Sequence, residues 1–308
     1  MGRSRWRSDE YATYSMSVKD APRSAVYSRT SKAAAFKSGQ NLNPEKIQFR
    51  ESRDSEANPK SCPIIVGLDV TGSMGIIAEK IAKKGLGVLV GELLERQPVA
   101  DPHMLFMGIG DVTKYDQAPL QCTQFEADNA IVDQLTDIWL EGGGGGNHFE
   151  SYDLAWAFAA HKTRTDQWDK RKEKGYLFTI GDEEFPRAGE GSGSERRADF
   201  IRQAVSGDVQ DMSPEGLLKA AQERYHVFHV IVAQGDYASR YLDRVEGTWG
   251  ERLQRRSLTM ADYNHVSEVI VSAIAVNEGR DPEEVVASWT DENAAAVVRD
   301  ALFGRNDQ

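Results

Sequence analysis

Cysteine is nearly absent: Cys62 and Cys122 are the two in 308 residues. That excludes a disulfide-stapled scaffold and predicts a reducing, cytoplasmic setting. No apolar window approaches the roughly 18 residues of a membrane span, so none is expected. The N-terminal MGRSRWRSDEY carries charge with no apolar stretch behind it, so no secretory signal is expected either. His-Glu-x-x-His and paired Cys-x-x-Cys are missing, which leaves a zinc site without support. No Gly-Lys-Ser/Thr follows a glycine run, which argues against a phosphate cradle. Ser73 is flanked by Thr71 and Gly75 rather than by the glycine pair of a nucleophile elbow. Apolar residues make up 40%, and part of the chain, the Ser-, Arg- and Lys-rich first 60 residues, is expected outside the core.

What the chain has in excess is negative charge, −11 overall. The excess is uneven: residues 1–60 hold 12 Lys/Arg against 7 Asp/Glu, and the remainder holds 25 against 41. A basic N-terminal arm, expected to be extended, therefore precedes an acidic body. The body's charge argues against a general nucleic-acid-binding surface and leaves the arm, with Arg3, Arg5 and Arg7 around Trp6, as the one place where nucleic acid could bind.

After Pro63 the pattern changes. Ile64–Leu68 is a short continuous apolar run ending at Asp69, as in a strand buried on both faces. Residues 76–96 have apolar side chains at helical spacing. Strands are predicted at 105–110, 119–125, 176–180 and 227–232, and helices at 126–140, from Tyr152 onward, and at 214–224, 266–276 and 282–303. Residues 187–194 read as a loop. Strands alternating with helices predict an α/β fold, doubly wound, with a mostly parallel sheet covered on both faces. The expected division is an arm at 1–60, an α/β domain at 61–276 and a helical extension at 277–308.

Ligands of such sheets gather at the carboxyl ends of the strands. Two strands end in Asp there, at Asp69 and Asp182. Asp69-Val70-Thr71-Gly72-Ser73 places a carboxylate and two hydroxyls at alternate positions on a glycine turn, and all-oxygen ligation suits a hard cation, Mg²⁺ before Ca²⁺ or Mn²⁺. The plain alternative is a helix N-cap. Asp111, after the strand at 105–110, reads as a turn residue near the same rim. His226 and His229 would point to opposite faces of their strand and read as structural.

The Asp69–Ser73 turn, between a buried strand and a long helix, resembles the metal-ion-dependent adhesion site (MIDAS) of von Willebrand factor A (vWA) domains, whose signature is Asp-x-Ser-x-Ser with a distant Thr and a distant Asp. The resemblance would cover roughly residues 62–275 and implies a Rossmann-like vWA fold. It implies that Thr71 and Ser73 give hydroxyls to the metal, that Asp69 acts through water or by holding those hydroxyls, and that Asp182 is the last Asp. Thr71 replaces the family's first Ser and keeps the hydroxyl. The family's Thr would fall after Gly142–Gly146, where this chain has Asn147. Asn147 is the best substitute for it, with Glu150 and Ser151 next.

The function this implies is a binding module rather than an enzyme, an adaptor in which a partner protein's Asp or Glu completes a Mg²⁺ site. Relatives inside cells commonly work beside AAA+ ATPases, which makes such an ATPase a possible partner. The body's negative charge predicts a partner face that is otherwise neutral or basic. Two other readings stand beside it. One is a metal-dependent hydrolase or phosphotransferase, against which Thr71 leaves no second acid at the Asp-x-Asp spacing. The other is an RNA- or DNA-associated protein acting through the arm.

Overall fold

The computed structural model describes residues 42–82, 86–114, 116, 118–128, 130–140, 150–188, 192–205 and 209–304. Among them are eight strands: β1 (Arg50–Ser52), β2 (Cys62–Asp69), β3 (Pro102–Ile109), β4 (Leu120–Cys122), β5 (Thr163–Thr165), β6 (Gly175–Gly181), β7 (Tyr225–Val232) and β8 (Ser257–Met260). The helices are α1 (Gly75–Lys80), α2 (Leu86–Arg96), α3 (Ala130–Thr136), α4 (Tyr152–Lys162), α5 (Asp166–Arg171), α6 (Ser192–Val205), α7 (Pro214–Arg224), α8 (Ala238–Leu253), α9 (Val266–Asn277), α10 (Pro282–Ala287) and α11 (Glu292–Phe303).

Six strands form one sheet in the order β4-β3-β2-β6-β7-β8, parallel except for the edge strand β4. Every residue of β2, β3 and β6 is buried, which explains why those strands are nearly unbroken apolar runs. Strand alternation sorts the side chains into two cores. Ile64, Val66 and Leu68 pack on one face beneath α1, α2, α9, α10 and α11. Ile65, Leu105 and Leu177 pack on the other, beneath α4, α6, α7 and α8. The fold is therefore a doubly wound, Rossmann-like α/β sandwich.

The chain from residue 42 onward is built into this body. Leu42 and Ile47 are buried, the Cys122 N–H donates to the Leu42 carbonyl, and β1 pairs in parallel with β5. An ionic cluster anchors the following turn. Asp166 accepts hydrogen bonds from Arg53 Nη1 at 2.8 Å and the Asp54 N–H at 2.9 Å, and pairs with Lys170 at 2.7 Å. The part of the expected arm at residues 1–41 lies outside the described residues. At the other end, Val286, Trp289, Val297 and Val298 belong to the same core cluster as Ile64 and Val66, so α10 and α11 help to cover the sheet.

Several elements differ from the sequence expectation. The helix expected over 76–96 consists of α1, extended by a π turn at 81–82, and α2, with residues 83–85 outside the described ones. The helix expected over 126–140 is confined to α3, because Glu126 forms an antiparallel bridge with Met104 instead. The expected loop 187–194 already turns helical at Ser192. The helix expected over 282–303 is two helices, since Asp291 caps α11 by accepting from the Asn293 and Ala294 N–H groups. No helix among the described residues is long and apolar enough to cross a membrane.

Candidate metal centre

The chain leaves β2 toward α1 and α2 on one face of the sheet, and leaves the neighbouring β6 toward α6 and α7 on the other. Adjacent strands whose connections part in this way open a crevice at their carboxyl ends. Asp69 is the last residue of β2 and Asp182 directly follows β6, so both border it.

Four of the five residues proposed from sequence as metal ligands meet there. One oxygen of Asp69, Oδ1, accepts the Thr71 N–H at 2.9 Å and the Thr71 hydroxyl at 2.7 Å. Thr71 Oγ1 lies 3.3 Å from Ser73 Oγ. Ser73 in turn donates to Asp182 Oδ1 at 2.8 Å. The other oxygen of Asp182 accepts the Tyr237 N–H at 2.9 Å. The result is a continuous chain, carboxylate to hydroxyl to hydroxyl to carboxylate, with both acids buried. A simple helix cap does not account for it: α1 has no side-chain cap bond at its start. Asn147, the fifth proposed ligand, lies outside the described residues.

Two further groups complete the site, and sequence reasoning did not assign them this role. Tyr152, the first residue of α4, donates its hydroxyl to Asp69 Oδ2 at 2.9 Å. A Cβ at Gly181 would sit 1.9 Å from that hydroxyl oxygen, so β6 must end in glycine for the ring to pass. Behind Tyr152, His229 stacks on Trp249 with ring centroids 3.5 Å apart, and Tyr152 meets both rings edge-on. The second group is Glu184, fully buried, which accepts from the Tyr237 hydroxyl at 2.6 Å and pairs with Arg244 at 2.7 Å and Arg187 at 3.1 Å. From the sequence pattern Tyr152 reads only as the start of a helix.

The electrostatics of this crevice are unbalanced. Burial first, then repulsion from Asp182, pushes the Asp69 carboxyl above its ordinary range despite the Thr71 and Tyr152 hydrogen bonds. Burial raises Asp182 as well, against the Ser73 and Tyr237 hydrogen bonds. Glu183 is raised by burial and then by Asp69 and Asp182. Glu150 is raised by burial and then by Asp69, Glu183 and Asp111. Glu150 Oε2 and Glu183 Oε2 are buried without a hydrogen-bond partner among the described residues. Ser151, the other substitute for the missing Thr, uses its hydroxyl to accept the Val112 N–H at 3.1 Å.

Asp111 repeats the Asp69 geometry one strand away: its Oδ1 accepts the Thr113 N–H at 2.7 Å and the Thr113 hydroxyl at 2.6 Å. The histidines divide as expected. His226 lies beside Arg256 and Tyr176, and His229 bonds Thr179 on the opposite face. Among the described residues no three His, Cys, Asp or Glu side chains lie at metal-binding spacing. The set at Asp69 is of another kind, with hydroxyls standing between the acids. Surface cavities open elsewhere, between Arg96, Arg280 and Trp289 and beside β8, and neither is lined by the residues of this centre.

No protein-family profile and no curated protein sequence matches this chain. Among solved structures, the pilus adhesin SpaC from Lactobacillus rhamnosus GG aligns over 74% of this chain and 32% of its own length, with 12% identity and a TM-score of 0.46. Its open conformation aligns over 77% and 31%, with 10% identity and a TM-score of 0.43. The chain thus spans about a third of the adhesin's length.

Proposed function

We propose that this chain is a metal-dependent protein-binding module of the vWA type, whose MIDAS-like centre holds Mg²⁺, with Mn²⁺ or Ca²⁺ as substitutes. The observation that carries the reading is the hydrogen-bonded chain Asp69–Thr71–Ser73–Asp182 at the crevice between β2 and β6. The donors fit such an ion. All are hard oxygens, two are neutral hydroxyls, and the buried acids Asp69, Asp182, Glu150 and Glu183 have no ion pair among the described residues, so a divalent cation would supply their counter-charge.

In this reading Asp69 orients Thr71 through its N–H and hydroxyl, and Asp182 orients Ser73. Tyr152 holds the remaining Asp69 oxygen so that the carboxylate does not rotate. Thr71 and Ser73 would offer their hydroxyls to the cation. Of the described residues near the expected Thr position, Glu150 has an oxygen with no hydrogen-bond partner among the described residues, whereas the Ser151 hydroxyl already accepts the Val112 N–H, so Glu150 is the stronger substitute after Asn147. A bound Mg²⁺ supplies a Lewis-acidic position at which a partner's Asp or Glu is recognised. The family resemblance makes an AAA+ ATPase a reasonable partner to try, and two buried free cysteines fit a cytoplasmic setting.

The test is isothermal titration of MgCl₂ and MnCl₂ into the EDTA-treated full chain, with Asp69→Ala and Ser73→Ala beside it and thermal melts of all three. Wild type should bind and gain melting temperature, and both variants should lose both effects while still unfolding cooperatively. No heat and no thermal shift in wild type would overturn the reading.

A further inference from the structure

The connection from α9 to α10 closes a cavity of about 490 Å³ against the end of α2. It lies away from the candidate metal centre. Helix α2 returns from the carboxyl end of β2 and stops at Arg96, shortly before β3 begins. Asn277, the last residue of α9, donates its side-chain N–H to the hydroxyl of Tyr176, near the start of β6, at 3.0 Å. The cavity is thus at the amino ends of the strands, opposite the crevice that holds Asp69 and Asp182. Gly279, with φ of +92°, lets the chain turn from α9 into α10 beside it.

Its floor is apolar and buried: Val271 and Ala275 from α9, Val285 from α10, and Trp289. The Trp289 side chain is fixed twice. Its Nε1 donates to the buried Ser272 hydroxyl at 2.9 Å, and the Arg96 guanidinium lies 3.3 Å from the ring centroid. Four charged side chains line the walls, Arg96, Arg280, Asp281 and Glu284. Arg96 is neutralised by Glu92 at 2.7 Å and also donates to the Ser288 hydroxyl at 3.0 Å. Asp281 Oδ1 caps α10, accepting the Glu283 and Glu284 N–H groups at 2.9 and 3.0 Å. Arg280 is positioned through Nη2, which donates to the Arg96 and Gln97 carbonyls at 3.2 and 3.1 Å. Those bonds satisfy open carbonyls at the end of α2 but bring no negative charge. Arg280 and Glu284 therefore face one cavity as a cation and an anion, neither in an ion pair among the described residues. Asp281 stands beside Glu284, so that side of the cavity is the more negative.

We infer that this cavity binds a free α-amino acid with a bulky apolar side chain. Arg280 takes the carboxylate through Nη1 and Nε, Glu284 and Asp281 Oδ2 take the ammonium group, and the side chain lies on the floor between Val271, Ala275, Val285 and Trp289. A simple anion would meet Glu284 and Asp281, and a simple cation would meet Arg280, so a ligand of one sign leaves the other wall without a partner. A zwitterion satisfies both with charge-assisted hydrogen bonds. The volume falls within the roughly 300–1,000 Å³ of small-molecule sites, and a buried apolar floor with a few charged groups above it is their usual lining. None of these residues belongs to the metal centre, so the inference is independent of the metal-dependent reading.

The test is isothermal titration of L-leucine, L-phenylalanine and L-tryptophan, at millimolar concentration, into the full chain in EDTA, where the metal centre contributes nothing. Three companions of the best binder each lack one group: its amide lacks the carboxylate, its N-acetyl form lacks the ammonium, and L-alanine lacks the bulky side chain. At least one of the three amino acids should bind, and each companion should bind about tenfold more weakly or worse. Glu284→Gln alters an exposed carboxylate with no hydrogen bond among the described residues, so it should leave the melting temperature unchanged and weaken the amino acid about tenfold. Arg280→Gln should weaken it as much. If that variant also loses stability with its two carbonyl contacts, Glu284→Gln alone decides. No heat from any of the three amino acids, companions that bind equally well, or Glu284→Gln binding like wild type would each overturn the inference. Binding seen only after Mg²⁺ is added would place the ligand at the metal centre and overturn it too.

Discussion

The Tyr152 hydroxyl and the Thr71 N–H and hydroxyl divide the Asp69 carboxylate between them, Tyr152 on Oδ2 at 2.9 Å and Thr71 on Oδ1. One buried acid is thereby fixed by α4 on one side and by its own turn on the other. Removing the Tyr152 donor leaves a buried acceptor unsatisfied, which costs about 1–3 kcal/mol. Tyr152→Phe should lower stability by that amount in chemical denaturation and weaken Mg²⁺ binding in titration. Unchanged stability would mean that water replaces the hydroxyl.

Gly181 provides the space through which Tyr152 reaches Asp69. A methyl group there would overlap the Tyr152 ring and hydroxyl, and forced overpacking costs about 1–3 kcal/mol or more. Gly181→Ala should destabilise the chain and couple with Tyr152→Leu in a double-mutant cycle, the second substitution recovering part of the loss. Strict additivity in urea denaturation would contradict the contact.

Asp153, next to Tyr152, is buried and paired with Arg197, which also donates to the Met212 carbonyl. Breaking such a pair from one side strands a charge in a dry environment, at about 3–5 kcal/mol, whereas replacing both partners by apolar residues is often near neutral. Asp153→Leu and Arg197→Met should each be strongly destabilising, and the double variant should be much less so. The measurement is the midpoint of denaturation for all four proteins.

Asp166 makes acid stability measurable. Burial alone would raise its carboxyl, but hydrogen bonds from Lys170, the Asp54 N–H and Arg53 outweigh it and hold the pKa at about 2, below the ordinary 3.8. A carboxyl depressed on folding contributes stability that is complete above the unfolded pKa and disappears as pH falls through the folded one. The contribution, about 2 kcal/mol, should therefore be present at neutral pH and lost between about pH 4 and pH 2. Asp166→Asn should cost about that much at pH 7 and nothing below pH 2, read from urea midpoints across the range.

How much of this was legible in the sequence depended on the length and purity of each signal. Asp69 and Asp182 could be placed because each closes a long run of buried residues, and the doubly wound sheet followed from the same runs. Strand β8 escaped because Ser257–Met260 is four residues long with alternating burial, and α8 because it is strongly charged and contains Gly247 and Gly250. Helix α6 was hidden behind Ser192-Gly193-Ser194, which reads as turn chemistry until the buried stripe Phe200, Ile201 and Ala204 is set against the sheet. Tyr152 could not be assigned from spacing at all. Its contact with Asp69 spans 83 positions of the chain and depends on a glycine in a third element.

The covering of one sheet face by α10 and α11 has a consequence for how the chain acquires its structure. Ile64 and Val66 enter the same apolar cluster as Val297 and Val298, so no leading portion of the polypeptide that stops before α11 can finish that face. During synthesis the central strands must wait for partners encoded more than two hundred residues downstream, with oily surface uncovered in the meantime. Pairings over such separations are slow, and the intermediates that precede them tend to aggregate. A nascent chain of this design should therefore lean on chaperones late in translation, and fragments cut at the end of α9 should be insoluble rather than merely less stable.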